Sequence, residues 1–332
     1  MKKEVSSTCF ARAGLLGNPS DGYHGKAISF SIRNFAAKVN LNESSTIEFG
    51  DNQTDRFGSF SDVSSLDIIK ETDGGERLLK SALRRWLQHH PNCIEAPVPN
   101  FQVRFSSNIP RQVGMAGSSA IVIAALRAYS VWFDKEIQPE ILASLALAAE
   151  HDLGISAGLQ DRVIQSFEGL MYMDFDSSKM HIQNDLAIGQ YERLDPSLLS
   201  NLYVAYARNI PESTEVLHGD LKQKYESGDQ RVIETISGIA DIAHQGITAI
   251  QNCDQQTLCE LIDRNFDLRQ SICVLNPGHV RMIEIARSCG ASAKYCGSGG
   301  AIVGTYKNSS DLELLQQQME KNDCVVFEPE LI

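Results

Sequence analysis

Residues 108–129, NIPRQVGMAGSSAIVIAALRAY, place a proline, a crowd of small residues and two adjacent serines directly before the apolar run Ala120–Leu126. The apolar run predicts a buried helix opening near Gly117. Gly114, Ala116, Gly117, Ser118, Ser119 and Ala120 lie where that helix exposes its unpaired N–H groups, and small side chains let the backbone approach something closely. Two readings follow. The serines cap a core helix, or the loop from Pro110 onward cradles an anion at a helix N-terminus, where backbone donors and the helix dipole both favour negative charge. The lysine of a Walker A loop is missing, so this is not a P-loop of that type.

At 332 residues the chain can bury a large core, and the length predicts two domains. A formal charge of −12 with no basic run speaks against nucleic-acid binding, since nothing could neutralise a phosphate backbone. The N-terminal MKKEVSSTCFARAG has no apolar core of a signal peptide, and the apolar run Ala120–Leu126 is well short of a membrane span. Eight scattered cysteines without a C-x-x-C pair predict reduced thiols in a cytoplasmic protein, and no zinc site. No membrane partner is expected.

Alternating apolar and polar residues predict strands at about 7–15, 26–32, 34–42 and 45–49, with a loop at 17–25. Residues 51–74 are polar, short on structure signals and read as a mobile surface loop. One apolar face (Leu78, Leu79, Ala82, Leu83, Trp86, Leu87) predicts a helix over 76–89. A strand over 99–110 leads into the small-residue loop. Further helices are expected at 139–151, 230–251, 255–272, 277–288 and 310–321, with a strand ending near Phe175, strands at 202–207 and 323–327, and a hairpin in ASAKYCGSGGAIVGTY. Residues 176–200 read as a connector. This mixture predicts an α+β fold in two lobes rather than an alternating parallel sheet.

Three further segments carry possible chemistry. In AAEHDLGISAGLQDRV (148–163), Glu150 and Asp161 are acids in apolar surroundings; each is a surface helix acid, or one holds a metal and the other acts as a base. CGSGGAIVG (296–304) is a tight hairpin, or a surface a ligand can approach closely; it lies between strands, so the dinucleotide fingerprint fails. In ARAGLLGNPSDGYHGKAIS (11–29), Arg12 sits inside an apolar strand and calls for a carboxylate partner, while Asp21 lies in the following loop.

Taken together and in this order, the segments resemble the GHMP kinase superfamily over about residues 8–306. PRQVGMAGSSAI is similar to that family's phosphate-wrapping second motif, ARAGLLGNPSDGYHG to its first and YCGSGGAIV to its third. Within the superfamily the chain most closely resembles the glucuronokinases, on LGNPSD (16–21), NIPRQ-x-G-x-x-GSSAIV (108–122), LGI-x-AGLQDRV (153–163), GL-x-x-MDF (169–175), NFDLR (265–269) and GSGGA (297–301). Two departures stand out. The phosphate loop holds one extra residue between Gly114 and Ser118, and Asn18-Pro19 replaces the Glu-His of galactokinases, which speaks against a galactose-like substrate.

The resemblance implies an N-terminal, ATP-binding lobe like ribosomal protein S5 domain 2 over 1–185 and a ferredoxin-like C-terminal lobe over 186–332. It implies ATP and Mg²⁺, and phosphorylation of the anomeric hydroxyl of D-glucuronate. Asp161 would be the catalytic aspartate and Arg12 its basic partner. Pro110, Gly114, Ala116, Gly117, Ser118, Ser119 and Ala120 would hold ATP, with Ser119 and Glu150 on Mg²⁺. Asp21, Gly297, Ser298 and Gly299 would meet the substrate, and Arg111, Arg162 or Lys294 would hold its C6 carboxylate. The alternatives are a kinase for another uronic acid or a neutral sugar, and a sensor that binds ATP and sugar without turnover; the intact Asp161, Glu150, Ser119 and Arg12 argue against a sensor.

Overall fold

The computed structural model describes residues 3–50, 56–68, 74–209 and 221–332. Its organising element is a long antiparallel pair, β1 (Glu4–Leu16) and β2 (Lys26–Glu43). The expected strands 26–32 and 34–42 are one strand with a bulge. Phe10 faces Ala36 but Ala11 faces Ile32, so residues 33–35 bow out of the ladder. The bulge divides the work of β2: its first half pairs β6 (Leu170–Asp174) and its second half pairs β5 (Phe101–Ser107). β3 (Ile47–Phe49) and β4 (Arg56–Phe57) extend the sheet beyond β5.

Residues 51–74 depart from the reading as a plain loop, although 51–55 and 69–73 lie outside the described residues. Besides β4 they form α1 (Phe60–Ser64), closed by a reciprocal cap in which Ser59 and Asp62 satisfy each other's backbone N–H groups. Phe60 is buried against Phe101 and Phe133. The connector also carries structure. β7 (His181–Gln183) and β8 (Leu186–Ile188) make a hairpin, and β9 (Gln190–Leu194) pairs β6. The expected division at 185/186 therefore falls at a hairpin tip, and the chain leaves the first sheet only after Leu194.

Over the sheet run α2 (Glu76–His89), α3 (Gly117–Phe133), α4 (Pro139–Asp152) and α5 (Leu159–Phe167). α3 is apolar around nearly its whole circumference, and it is buried from Ser119 to Leu126, as a helix without a polar face must be.

The second lobe is β10 (Leu202–Ala207), α6 (Gln230–Gln251), α7 (Gln255–Ile272), α8 (Pro277–Ser288), β11 (Lys294–Tyr295), β12 (Ala301–Thr305), α9 (Ser309–Glu320) and β13 (Cys324–Phe327). Asp229, Asp254, Asn276 and Asn308 each cap the helix that follows by accepting a backbone N–H. The sheet order β11-β12-β10-β13, antiparallel throughout, is that of a ferredoxin-like βαββαβ unit. One hydrophobic cluster joins the lobes, with Val204, Ala301 and Val303 packed into the same core as Ala13, Leu16 and Ile28. At the β2 bulge Phe35 adds edge contacts to Tyr206 and Phe327. Among the described residues no helix is long and apolar enough to cross a membrane.

Candidate active site

Four chain segments meet where β1 ends: the β1 terminus, the loop into α3, the first turn of α5 and the β11–β12 connection. Arg12, buried on β1, touches all the others. Its Nε donates to Asp161 Oδ1 at 2.7 Å, and its Nη1 donates to Gly114 O at 2.6 Å and Cys296 O at 3.1 Å. Burial alone would lower the pKa of this guanidinium; the Asp161 carboxylate beside it raises it above the ordinary value. Asp161 stands in the first turn of α5, where the helix dipole favours an anion, and 22% of its side chain stays open to the cleft.

The loop into α3 uses left-handed backbone at Gln112, Gly114 and Ala116. Only glycine serves at 114: a Cβ there would stand 2.7 Å from Gly299 O, so the phosphate loop packs backbone to backbone on the third glycine loop. Ala116 is the N-cap of α3 and offers no side-chain cap, which leaves the first N–H groups of the helix without one. The Ala116 carbonyl is tied back by Gln165 Nε2 at 2.9 Å. Met115, within the stretch that holds the extra residue, is buried and anchors the loop in the core.

The two serines, of which Ser119 is expected on Mg²⁺ with Glu150, differ in their partners. Ser119 is fully buried and donates its hydroxyl to Ala116 O at 3.2 Å, within its own turn. It is Ser118 whose hydroxyl donates to Glu150 Oε1, at 2.7 Å. With Ala116 left-handed, α3 starts at Gly117, and the first serine then reaches Glu150 while the second bonds back within its own turn. Glu150 is wholly buried, and its Oε2 accepts from Arg162 Nε at 2.6 Å and also from Nη2. A buried carboxylate needs such a partner.

That clamp removes Arg162 from the candidates for a substrate carboxylate, since its Nη1 is also used, on Gly158 O at 3.0 Å. Lys294 is removed for the same reason. It is buried and donates to Gly14 O at 2.7 Å, Tyr295 O at 2.8 Å and Asn18 Oδ1, while burial holds its pKa well below the usual lysine value. Arg111 lies exposed on the phosphate loop. Gly297 packs beside Arg12, and a Cβ there would stand 2.5 Å from Gly114 O.

Two polar residues of the NFDLR signature had no role assigned from sequence. Asn265 and Arg269, one turn apart on α7, face the site: Asn265 accepts from Gly17 N at 2.7 Å and donates to Asn18 O at 3.0 Å, while Arg269 donates to Gly297 O at 2.6 Å and Ser298 O at 3.0 Å. The signal was the i, i+4 spacing inside NFDLR, which puts both on one helix face.

Asp21 lies over the start of α5, its Oδ2 2.6 Å from where a Cβ on residue 158 would stand, so Gly158 makes room for it. Burial, and then the nearby Asp161 carboxylate, push its pKa up to about 6, against the pull of Arg12. A carboxyl raised in the folded state binds more protons there than in the unfolded chain. Its ionisation therefore costs stability as pH rises from about 4 to about 6, and the cost persists above that window. Asp21→Asn should raise Tm at pH 8 by about 1–3 °C and give no gain at pH 4. Thermal unfolding at the two pH values checks this, and a Tm lowered at pH 8 would contradict a carboxylate held at a cost.

The profile of the GHMP kinases N terminal domain matches residues 77–169. The chain is 38% identical to the probable glucuronokinase 2 of Arabidopsis thaliana over 97% of its own length and 90% of that protein, and 37% identical to glucuronokinase 1 of the same plant over 96% and 89%. Among solved structures, mevalonate kinase of Methanococcus jannaschii superposes with TM-score 0.74 at 19% identity, covering 100% of this chain and 99% of that one. Galactokinase of Lactococcus lactis, solved with galactose, gives 0.78 at 14% identity, covering 99% and 94%. The structural likenesses establish the GHMP kinase fold, and the identity to the two plant proteins over almost the full length of the chain places it in the glucuronokinase family of the GHMP kinases.

Proposed function

We propose that the protein phosphorylates the anomeric C1 hydroxyl of D-glucuronate with ATP, giving glucuronate 1-phosphate. The observation that carries the mechanism is the Asp161–Arg12 pair, set between the phosphate loop and the third glycine loop with Asp161 open to the cleft. Asp161 orients the sugar hydroxyl and takes its proton. Arg12 keeps Asp161 ionised and lends positive charge beside the transferring group. The uncapped N–H groups at the start of α3 hold the ATP phosphates, and Asp21 accepts from a sugar hydroxyl. Phosphoryl transfer asks for positioning and charge stabilisation more than for covalent partners, and the site supplies those two things.

Ser118 and Glu150 offer a hard oxygen pair, a hydroxyl on a buried carboxylate, of the kind Mg²⁺ takes alongside nucleotide phosphates and water. When bound there, the ion would neutralise charge on the β- and γ-phosphates. Arg162 holds Glu150 in place by its other oxygen. Arg111, exposed on the phosphate loop while Arg162 and Lys294 are engaged inside the protein, is the proposed partner of the C6 carboxylate.

Turnover with a panel of sugars at fixed Mg-ATP tests the substrate. A charge-assisted contact in a closed cleft contributes roughly 1.5–3 kcal/mol, so glucuronate should exceed glucose at least ~10-fold in kcat/KM, with ³¹P NMR showing a 1-phosphate. Asp161→Asn should lower kcat about 10²- to 10⁴-fold with MgADP affinity kept within a few fold. Glucose used as well as glucuronate would reject the uronic-acid assignment.

The metal assignment has its own test. Ser118→Ala should raise the Mg²⁺ concentration needed for half-maximal rate, whereas Ser119→Ala, which loses only a bond inside its own turn, should act through stability. Mg²⁺ titration of each variant separates the two, and an unchanged requirement in Ser118→Ala would remove Ser118 from the metal.

A further inference from the structure

Two successive carbonyls of the third glycine loop are held by one side chain, while the Gly299 carbonyl lies against Gly114. Arg269 Nη1 and Nη2 draw Gly297 O and Ser298 O toward α7, at 2.6 and 3.0 Å. In a trans peptide the next N–H points away from the carbonyl. The N–H groups of Ser298 and Gly299 are thereby turned from Arg269 toward the phosphate loop, where Ser298 N and Gly299 N both lie 3.2 Å from the position a Cβ on Gly114 would take. Neither N–H has a hydrogen-bond acceptor among the described residues. Two adjacent backbone donors without an acceptor among the described residues, next to the phosphate-wrapping loop, are groups of the kind that hold an anion.

Arg269 is itself fixed. It is buried, its guanidinium lies 5.1 Å over the Tyr295 ring, and that ring is boxed by Phe266 and His279. One turn earlier on α7, Asn265 holds Gly17 and Asn18 of the first motif. The same helix face therefore sets the two loops that border the phosphate loop.

We propose that Arg269 is a positioning residue for phosphoryl transfer: by gripping the Gly297 and Ser298 carbonyls it aims the Ser298 and Gly299 N–H groups at the transferring phosphoryl. The inference rests on the phosphoryl-transfer reading of this site. Donors that meet charge developing in the transition state act on kcat rather than on ground-state binding.

The test uses the full chain with Arg269→Met and Arg269→Lys, reading kcat and KM and the binding of MgADP with and without aluminium fluoride, which mimics the phosphoryl in flight. In R269M, kcat should fall about 10- to 100-fold, with KM for ATP and sugar within about 3-fold. Its MgADP affinity should hold, while the tightening by aluminium fluoride should shrink at least 10-fold. R269K keeps the charge over Tyr295 but grips one carbonyl, and should fall between wild type and R269M; it also serves if R269M does not fold. Undiminished tightening by aluminium fluoride in either folded variant, or loss of kcat only in step with loss of MgADP affinity, would overturn the proposal. A wild-type protein that aluminium fluoride does not tighten would overturn the phosphoryl-transfer reading along with it.

Discussion

A single buried guanidinium makes the site one object. Arg12 leaves β1 and bonds the first turn of α5, the loop before α3 and the β11–β12 connection, which are far apart in sequence and belong to both lobes. Without it the Gly114 carbonyl would lose its side-chain donor, the Cys296 carbonyl would keep only the Gly14 N–H, and Asp161 would lose its 2.7 Å partner. Breaking a buried charge pair from one side typically costs about 3–5 kcal/mol, a large share of the stability of any domain. The position demands arginine rather than lysine. The fork of the guanidinium serves a carboxylate and two carbonyls at once, whereas an ammonium has one nitrogen to place.

Around this hub the chain accepts costs that a purely structural core would avoid. Glu150, Arg162 and Lys294 are buried ionisable groups, and Asp21 is ionised only against burial and a neighbouring carboxylate. Gly14, Gly114 and Gly297 give up side chains so that loops can touch through their backbones. Each device has the same effect, to bring fixed charge and backbone N–H groups together in one cleft. The shared hydrophobic core under both lobes is what holds so polar a cleft in one geometry. By contrast the buried thiols of Cys9 and Cys296, pushed up to about 12 by burial, are inert neighbours.

Much of this was legible in the sequence, for local reasons. The apolar faces of α2 and α3 are strong periodic signals, and the three glycine-bearing motifs stand in order. The bulge in β2 was not legible, because it depends on which half pairs β5 and which pairs β6. α1 was missed although Ser59 and Asp62 spell its cap, because the polar residues around Phe60 masked one buried ring. That Ser118 and not Ser119 bonds Glu150 goes with a left-handed Ala116, a backbone state that no side chain there announces. Arg162 and Lys294 looked like free cations because their partners, Glu150 and the Gly14 and Tyr295 carbonyls, are set by tertiary contact.

The central claim is that Arg12 and Asp161 work as one unit in phosphoryl transfer, and a double-mutant cycle on kcat measures that coupling directly. The variants are Arg12→Gln, Asp161→Asn and the pair, each checked for folding by its thermal transition. Residues that act together are grossly non-additive, so the double variant should turn over within about 10-fold of the slower single variant. Rate losses that simply multiply in the double variant would show two independent groups, and would contradict the account.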